Sequence, residues 1–381
     1  MRLMVAGGGT GGHLYPGLAV AEELERISPG SQVLFIGTRK GIEARIVPAA
    51  GHQLRFISIA GYLGKSIIQK LLFPWQLLAA LFQSLFHVRC FRPEAMLGTG
   101  GYVSAPPVLA AWLLRIPVGL LALDALPSAA VRLMAGCAEE IYAGFPECAQ
   151  HLRPADKVIF TGNPLRREIG TVSRSDGAAA FGLDPKAVTV LLFGGSRGAH
   201  RLNTVIVETV RLRAGEARWQ RVQFIIQTGQ DDCEWVKSQL ASVPVTVRIL
   251  PYIGNMPHAY AASDLVISRS GAGVSETVAC GLPSILIPYP YAANNHQEEN
   301  ARSLQKAGAA AVILEKDLNA EILAHTMEGV LFNERVRLAM GQAARALSKP
   351  GASHEIAGRL IALSKKEATI QPLGHQDTKK D

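Results

Sequence analysis

Thr10, Gly11, Gly12 and His13 stand just after a short apolar run, Leu3–Ala6, and just before a helical stretch, Pro16–Glu25. A strand that passes through a Gly-rich loop into a helix turns backbone N–H groups outward, a layout that suits a phosphate or pyrophosphate. The spacing lacks the GK[ST] ending of a Walker A loop and is not a clean GxGxxG dehydrogenase fingerprint with an acidic ribose partner. His13, at the mouth of the loop, carries the side chain that titrates nearest neutrality and could act as a general base; it could equally be a helix-entry residue that orients the loop. A second Gly loop, Gly98–Ser104, follows the strand-like Ala95–Leu97, and the pair could form two walls of one anion site. Asp124 ends the apolar run Ile116–Leu123. The third stretch is Asp264–Ala301: strand Leu265–Ser268, Gly turn Arg269–Gly273, helix Ser275–Cys280, strand Ser284–Pro288, then a polar loop holding Asn294 to Glu298. Glu276, in or near the first turn of that helix, could accept from a sugar or ribose hydroxyl.

The elements that must position these residues recur in two rounds. Val33–Gly37, Leu54–Ile59, Glu139–Ala143 and Val158–Thr161 continue a first parallel sheet, with helices over Glu43–Ala50 and Ala105–Leu114. After the turn Gly162–Arg166 the pattern restarts. Val188–Phe193 runs into Gly194–Ala199 and a helix from about Arg201, and Phe224–Gln227, Val247–Leu250 and Leu265–Ser268 follow. This predicts an α/β protein of two Rossmann-like parallel-sheet domains facing across a cleft, each with Gly loops at strand ends. The expected domains are 1–163 and 164–347, with a helix over about 348–364 returning to the first and a polar, frayed tail over 365–381.

The formal net charge of +8 points to an anionic partner, and the absence of zinc-finger spacing or basic–aromatic interleaving makes nucleic acid the weakest choice. The five scattered cysteines read as buried thiols in a reducing compartment, and the start has no signal-peptide layout, so a cytoplasmic location is expected. No DxD pair or Asp/His cluster suggests a metal, and no cofactor is implied. Polar residues and prolines interrupt Leu71–Val88 and Val103–Leu123, which argues against spanning helices. Gly61–Phe91 is apolar and partly helical, with Lys65, Lys70, Arg89 and Arg92 at its edges and no acid between. Such a segment fits an anionic membrane interface, or else a core helix with solvated ends.

With GGGTGGHLYPGLAVAEEL, GTGGYVSAPPVLAA, GNPLR, GGSRGA and the Asp264–Ala301 stretch in view, the chain from about Met1 to Leu363 resembles the MurG family of peptidoglycan glycosyltransferases. The resemblance implies the GT-B fold and an inverting, metal-independent transfer of N-acetylglucosamine. The donor is UDP-N-acetylglucosamine; the acceptor is the muramyl 4-hydroxyl of the undecaprenyl-diphosphate-linked muramyl-pentapeptide (lipid I), and the product is lipid II. It implies a peripheral enzyme at the cytoplasmic face of the cell membrane, docked through Gly61–Arg92, with other cell-wall synthesis proteins as possible partners. By the same resemblance Arg166 and Ser196 contact the UDP diphosphate and its surroundings, and Ile253 meets uracil through its backbone. Ala272, Gly273, Val274, Ser275 and Glu276 hold the nucleotide, with Glu276 on the ribose. Gln297, with His296 beside it, binds sugar hydroxyls. Thr10, Gly11 and Gly12 lie at the donor sugar and acceptor diphosphate, and Gly100, Gly101 and Tyr102 help bind the acceptor diphosphate. His13 matches the proposed base, with Asp124 the other candidate.

Three departures from the family pattern stand out. Leu121-Ala122-Leu123-Asp124 replaces a usual His-Glu-Gln-Asn run, Arg197 replaces a usual Gln, and the nucleotide turn between Ala272 and Glu276 is one residue short. They leave room for a GT-B transferase with another lipid acceptor such as diacylglycerol, for a UDP-N-acetylglucosamine epimerase of related fold, or for a degenerate homologue acting as a membrane scaffold.

Overall fold

Two parallel sheets carry the chain. The computed structural model describes residues 1–59, 73–195 and 198–370, with backbone alone for 366–370. Ser196 and Arg197, residues 60–72, which take in the start of the basic-edged apolar segment with Lys65 and Lys70, and residues 371–381 of the expected tail lie outside the described residues. The chain divides into two compact units, one holding Met1–Leu123, Pro127–Pro164 and the chain from Gly351, the other Asp124–Leu126 and Leu165–Pro350.

The first unit contains β1 (Arg2–Ala6), β2 (Gln32–Gly37), β3 (Gln53–Phe56), β4 (Ala95–Gly98), β5 (Val118–Ala122), β6 (Glu140–Ala143) and β7 (Val158–Phe160) in the order β3-β2-β1-β4-β5-β6-β7. Strand β1 is apolar on both faces because both are covered. Met4 and Ala6 pack with Val88, Val108 and Ala111, whereas Leu3 and Val5 pack with Leu14, Leu18 and Leu360. Leu360 belongs to the helix Ala352–Ile370, which lies on the helix Gly11–Ile27 and is tied to it by His354 and Arg26 around Glu23. The helix runs past Lys365, where a frayed tail was expected. Strand β3 stops at Phe56 rather than Ile59; the Ile57 N–H still donates to the Gly37 carbonyl at 2.9 Å, and the Ser58 N–H turns to Gln83 at 2.7 Å.

The second unit contains β8 (Val188–Phe193), β9 (Val222–Gln227), β10 (Thr246–Leu250), β11 (Leu265–Ser268), β12 (Ser284–Leu286) and β13 (Ala310–Val312) in the order β10-β9-β8-β11-β12-β13. Strand order reverses between β1 and β4 in one sheet and between β8 and β11 in the other. At such switch points the loops leaving two adjacent strands diverge and open a crevice beyond their carboxyl ends. All four Gly-containing loops singled out above leave these four strands.

Two helices depart from the sequence reading in ways that matter for the site. The first begins at Gly11 instead of Pro16, since the N–H groups of His13 and Leu14 turn back to the Thr10 carbonyl, and Pro16 is carried inside it. The polar loop expected after β12 is instead a short turn, with Asn294 and Asn295 in the left-handed region, followed by a helix over His296–Lys306.

Candidate active site

In the first unit Thr10 is the N-cap of the Gly11–Ile27 helix, so the Gly11 and Gly12 N–H groups lie in a first turn that has no intrahelical acceptors for them. His13 shares that turn. Its Nδ1 lies 3.0 Å from the Thr99 carbonyl, which accepts only if Nδ1 carries the proton. In the neutral ring Nε2 is then the basic nitrogen. The ring rests on the second Gly loop: a Cβ at Gly100 would come within 3.1 Å of Nδ1, and one at Gly101 within 3.2 Å of Cδ2. Both glycines also adopt left-handed backbone, with φ of 91° and 74°. Tyr102 reaches Gly9 from the same loop. Burial, and secondarily the negative charge of Glu43, hold its phenol above the ordinary range, so it stays a hydrogen-bond donor at neutral pH. Thr10, Gly11, Gly12, His13, Gly100, Gly101 and Tyr102 are thus brought together. Glu43, which the sequence reading passed over as a helix residue, joins them from beneath: its buried carboxylate accepts the Gly9 N–H at 2.9 Å.

In the second unit Arg166 reaches Glu276 at 3.1 Å, and the Tyr260 hydroxyl donates to the other carboxylate oxygen at 3.2 Å. Burial foremost, then Glu276, push the Tyr260 phenol well up, which keeps that donor protonated. The helix after the Gly turn is short, Gly273–Ala279. Its first turn is not an open set of donors, because the Val274 and Ser275 N–H groups bond to the Gly271 and Ala272 carbonyls in tight i→i+3 fashion. Gln297 sits in the first turn of the His296–Lys306 helix; its Oε1 accepts the Tyr289 N–H at 3.0 Å, while the neighbouring His296 ring bonds the Ala293 carbonyl at 2.8 Å. The Ile253 N–H donates to Gln227 at 2.7 Å, and the Gln227 amide donates to the Gly195 carbonyl at 2.9 Å. One side chain therefore links the Ile253 backbone to the loop after β8. Gly198 is fixed there by a close approach, since a Cβ would overlap the Thr228 carbonyl.

Asp124 clusters with the second unit although the sequence placed it in the first, and buried Asn300 is the cause. The Asn300 amide donates to Asp124 at 2.8 Å and to the Ser270 carbonyl at 3.0 Å, and its oxygen accepts the Ala125 N–H at 2.8 Å. Just before it, Leu121, Ala122 and Leu123 are buried, so the positions where the family pattern is polar here serve the core. Glu43, Gln227, Tyr260 and Asn300 all escaped the sequence reading. Each is a polar residue at a core-facing position, a signal visible only once the face of its element is known.

The helix Phe73–Phe91 buries Ala80, Ser84 and Val88 and turns Trp75, Leu78, Phe82 and Phe86 to solvent, with exposures of 71, 46, 69 and 64%. Those four recur at helical spacing along one face. Among the described residues no helix is long and apolar enough to cross a membrane, and no group of His, Cys, Asp and Glu could hold a metal.

The sequence matches the glycosyltransferase family 28 N-terminal domain over residues 3–143 and the family 28 C-terminal domain over residues 189–356. It is 40% identical over 357 residues to a protein of Thermodesulfovibrio yellowstonii, covering 93% of this chain and 97% of that one. It is 42% identical over 359 residues to one of Anaeromyxobacter dehalogenans, covering 94% and 91%. Both are named UDP-N-acetylglucosamine--N-acetylmuramyl-(pentapeptide) pyrophosphoryl-undecaprenol N-acetylglucosamine transferase. Acinetobacter baumannii MurG superposes with a TM-score of 0.74 at 27% identity, over 95% of this chain and 99% of that one. A Neisseria meningitidis UDP-GlcNAc 2-epimerase, with a TM-score of 0.68 at 16% identity over 95% of this chain and all of that one, shares the fold alone. Two parallel-sheet domains of the GT-B class, each matched by its own family 28 domain, place this chain in glycosyltransferase family 28, among the MurG transferases.

Proposed function

We propose that this protein transfers N-acetylglucosamine from UDP-N-acetylglucosamine to the muramyl 4-hydroxyl of the lipid-linked muramyl-pentapeptide, with inversion. The observation that carries the reading is the His13 ring, pinned through Nδ1 to Thr99 and bedded on Gly100 and Gly101, in a chain 40% identical to relatives named for this transfer. His13 Nε2 removes the acceptor hydroxyl proton as the oxygen bonds to the anomeric carbon. The bond from that carbon to the diphosphate breaks, and UDP leaves with the electron pair. The acceptor diphosphate lies along the Gly11 and Gly12 N–H groups and Tyr102. On the donor side Arg166 offers its guanidinium to the leaving diphosphate, where charge grows in the transition state. Glu276 takes a ribose hydroxyl, Ile253 meets uracil through its backbone, and Gln297 reads the sugar. Ser196 and Asp124 complete the donor contacts.

Asp124 is the less available of the two candidates, because one of its carboxylate oxygens is already engaged by the Asn300 amide at 2.8 Å. The exposed aromatic face of Phe73–Phe91, ending near Arg89 and Arg92, docks the protein on an anionic membrane from the cytoplasmic side, where the lipid acceptor is presented.

A second reading has one observation in its favour. Buried Leu121, Ala122 and Leu123 remove polar groups from a position where the family pattern would meet the acceptor, which fits a transferase using another lipid. Incubation of purified protein with UDP-N-acetylglucosamine, a lipid I analogue and diacylglycerol in competition separates the two. β-Linked transfer to lipid I supports the first reading, transfer only to diacylglycerol the second. Donor binding without transfer to any acceptor sinks both.

A further inference from the structure

Glu43 is a fully buried carboxylate beneath the first Gly loop. One oxygen accepts the Gly9 N–H at 2.9 Å, and the other accepts the Thr38 N–H at 2.8 Å and the Thr38 hydroxyl at 2.9 Å. Three glycines make room for it: a Cβ on Gly8, Gly37 or Gly41 would overlap its side chain. A buried charge is retained only where hydrogen bonds replace its hydration, and these three bonds do so. Two of the donors are backbone N–H groups addressed by different oxygens, a demand that a carboxylate meets and a neutral amide does not. A glutamine would turn its NH2 group toward one of the two N–H donors whichever way it were placed.

We propose that Glu43 is a positioning residue for transfer, acting from inside the loop as a built-in anion. It takes up the Gly9 donor that a Gly-rich loop would otherwise extend to a phosphate. The substrate diphosphate is thereby confined to the Gly11 and Gly12 N–H groups beside His13. It also anchors Gly9 under Tyr102 and so sets the path by which the chain enters the helix that carries His13. This rests on the transfer reaction proposed above for its kinetic consequence, but not for its structural one.

The test compares wild type with Glu43→Gln, Glu43→Asp and Gly41→Ala. The last puts a Cβ into the carboxylate from a residue outside the Gly7–Thr10 loop. Amide hydrogen exchange over Gly7–Leu14 is measured without substrate. The kcat and the acceptor KM are measured with a lipid I analogue, and the UDP Kd by calorimetry. Glu43→Gln should raise exchange in that segment and lower kcat, each by about tenfold or more, with the UDP Kd unchanged within about twofold. Glu43→Asp, which keeps the two acceptor oxygens, should recover part of both, and Gly41→Ala should move both in the same direction as Glu43→Gln. Unchanged exchange in Glu43→Gln and Gly41→Ala overturns the proposal, as does a loss of kcat that only follows the fraction of folded protein. If wild type transfers to no acceptor, the function proposed above fails, while the exchange measurement still decides the role of Glu43.

Discussion

Replacing Asn300 by alanine should destabilise the second unit selectively. The side chain is fully buried and serves three partners: the Asp124 carboxylate, the Ser270 carbonyl and the Ala125 N–H. Asp124 is only partly buried and can recover water, whereas Ser270 and Ala125 are buried and cannot. Two stranded buried groups at about 1–3 kcal/mol each give a loss of about 2–6 kcal/mol, less whatever a water entering the vacated space restores. The assay is guanidinium unfolding followed by fluorescence; Trp219, buried in the second unit, makes the signal sensitive to that unit's core. Asn300→Asp sharpens the test. It keeps the shape but turns an acceptor toward the Asp124 carboxylate and the Ser270 carbonyl, so at neutral pH it should be the worse of the two variants. The new carboxyl would be held above its ordinary titration range, so its penalty is present when it is ionised and fades as acid protonates it. The stability gap between Asn300→Asp and wild type should therefore narrow from about pH 7 to about pH 5. A loss below about 1 kcal/mol for Asn300→Ala, or a pH-independent gap for Asn300→Asp, would refute the assigned network.

Three further outcomes are expected. Arg26 foremost, then His354, hold the Glu23 carboxyl at about 2, against an ordinary 4.5; its contribution to the seat of the Ala352–Ile370 helix is complete above the ordinary value and lost as pH falls through about 2. The Tm difference between wild type and Glu23→Gln should accordingly be constant at neutral pH and shrink between about pH 4.5 and pH 2. Burial, then Glu276, push the Cys280 thiol up to about 12, so at pH 8 a disulfide reagent should modify exposed Cys90 rapidly and Cys280 only on unfolding, as read by mass spectrometry. Gly198→Ala would force a Cβ into the Thr228 carbonyl at a φ of 79°, and should cost about 2 kcal/mol or more, read as a lower unfolding midpoint, along with weaker UDP binding by calorimetry.

The sequence by itself determined the two-sheet plan and the loops that bear the chemistry. Short runs such as Val188–Phe193, apolar but for Thr189 and ended by glycine, read as strands buried on both faces, and the glycines at their carboxyl ends mark where backbone must approach a ligand or another strand. Local pattern misled where a residue's neighbour is distant in the chain. Pro16 suggested a helix start, yet the Thr10 carbonyl closes the turn earlier; Asn294 to Glu298 looked like loop, yet the left-handed Asn294 and Asn295 turn the chain directly into a helix. Only the tertiary structure decided which polar side chains set the loops. His13 meets Thr99 across 86 positions, Gly9 meets Glu43 across 34, and Asp124 meets Asn300 across 176. Periodicity reports which face of an element is apolar. It carries no information about which buried donor will face which acceptor, because that depends on the order and register of strands laid side by side.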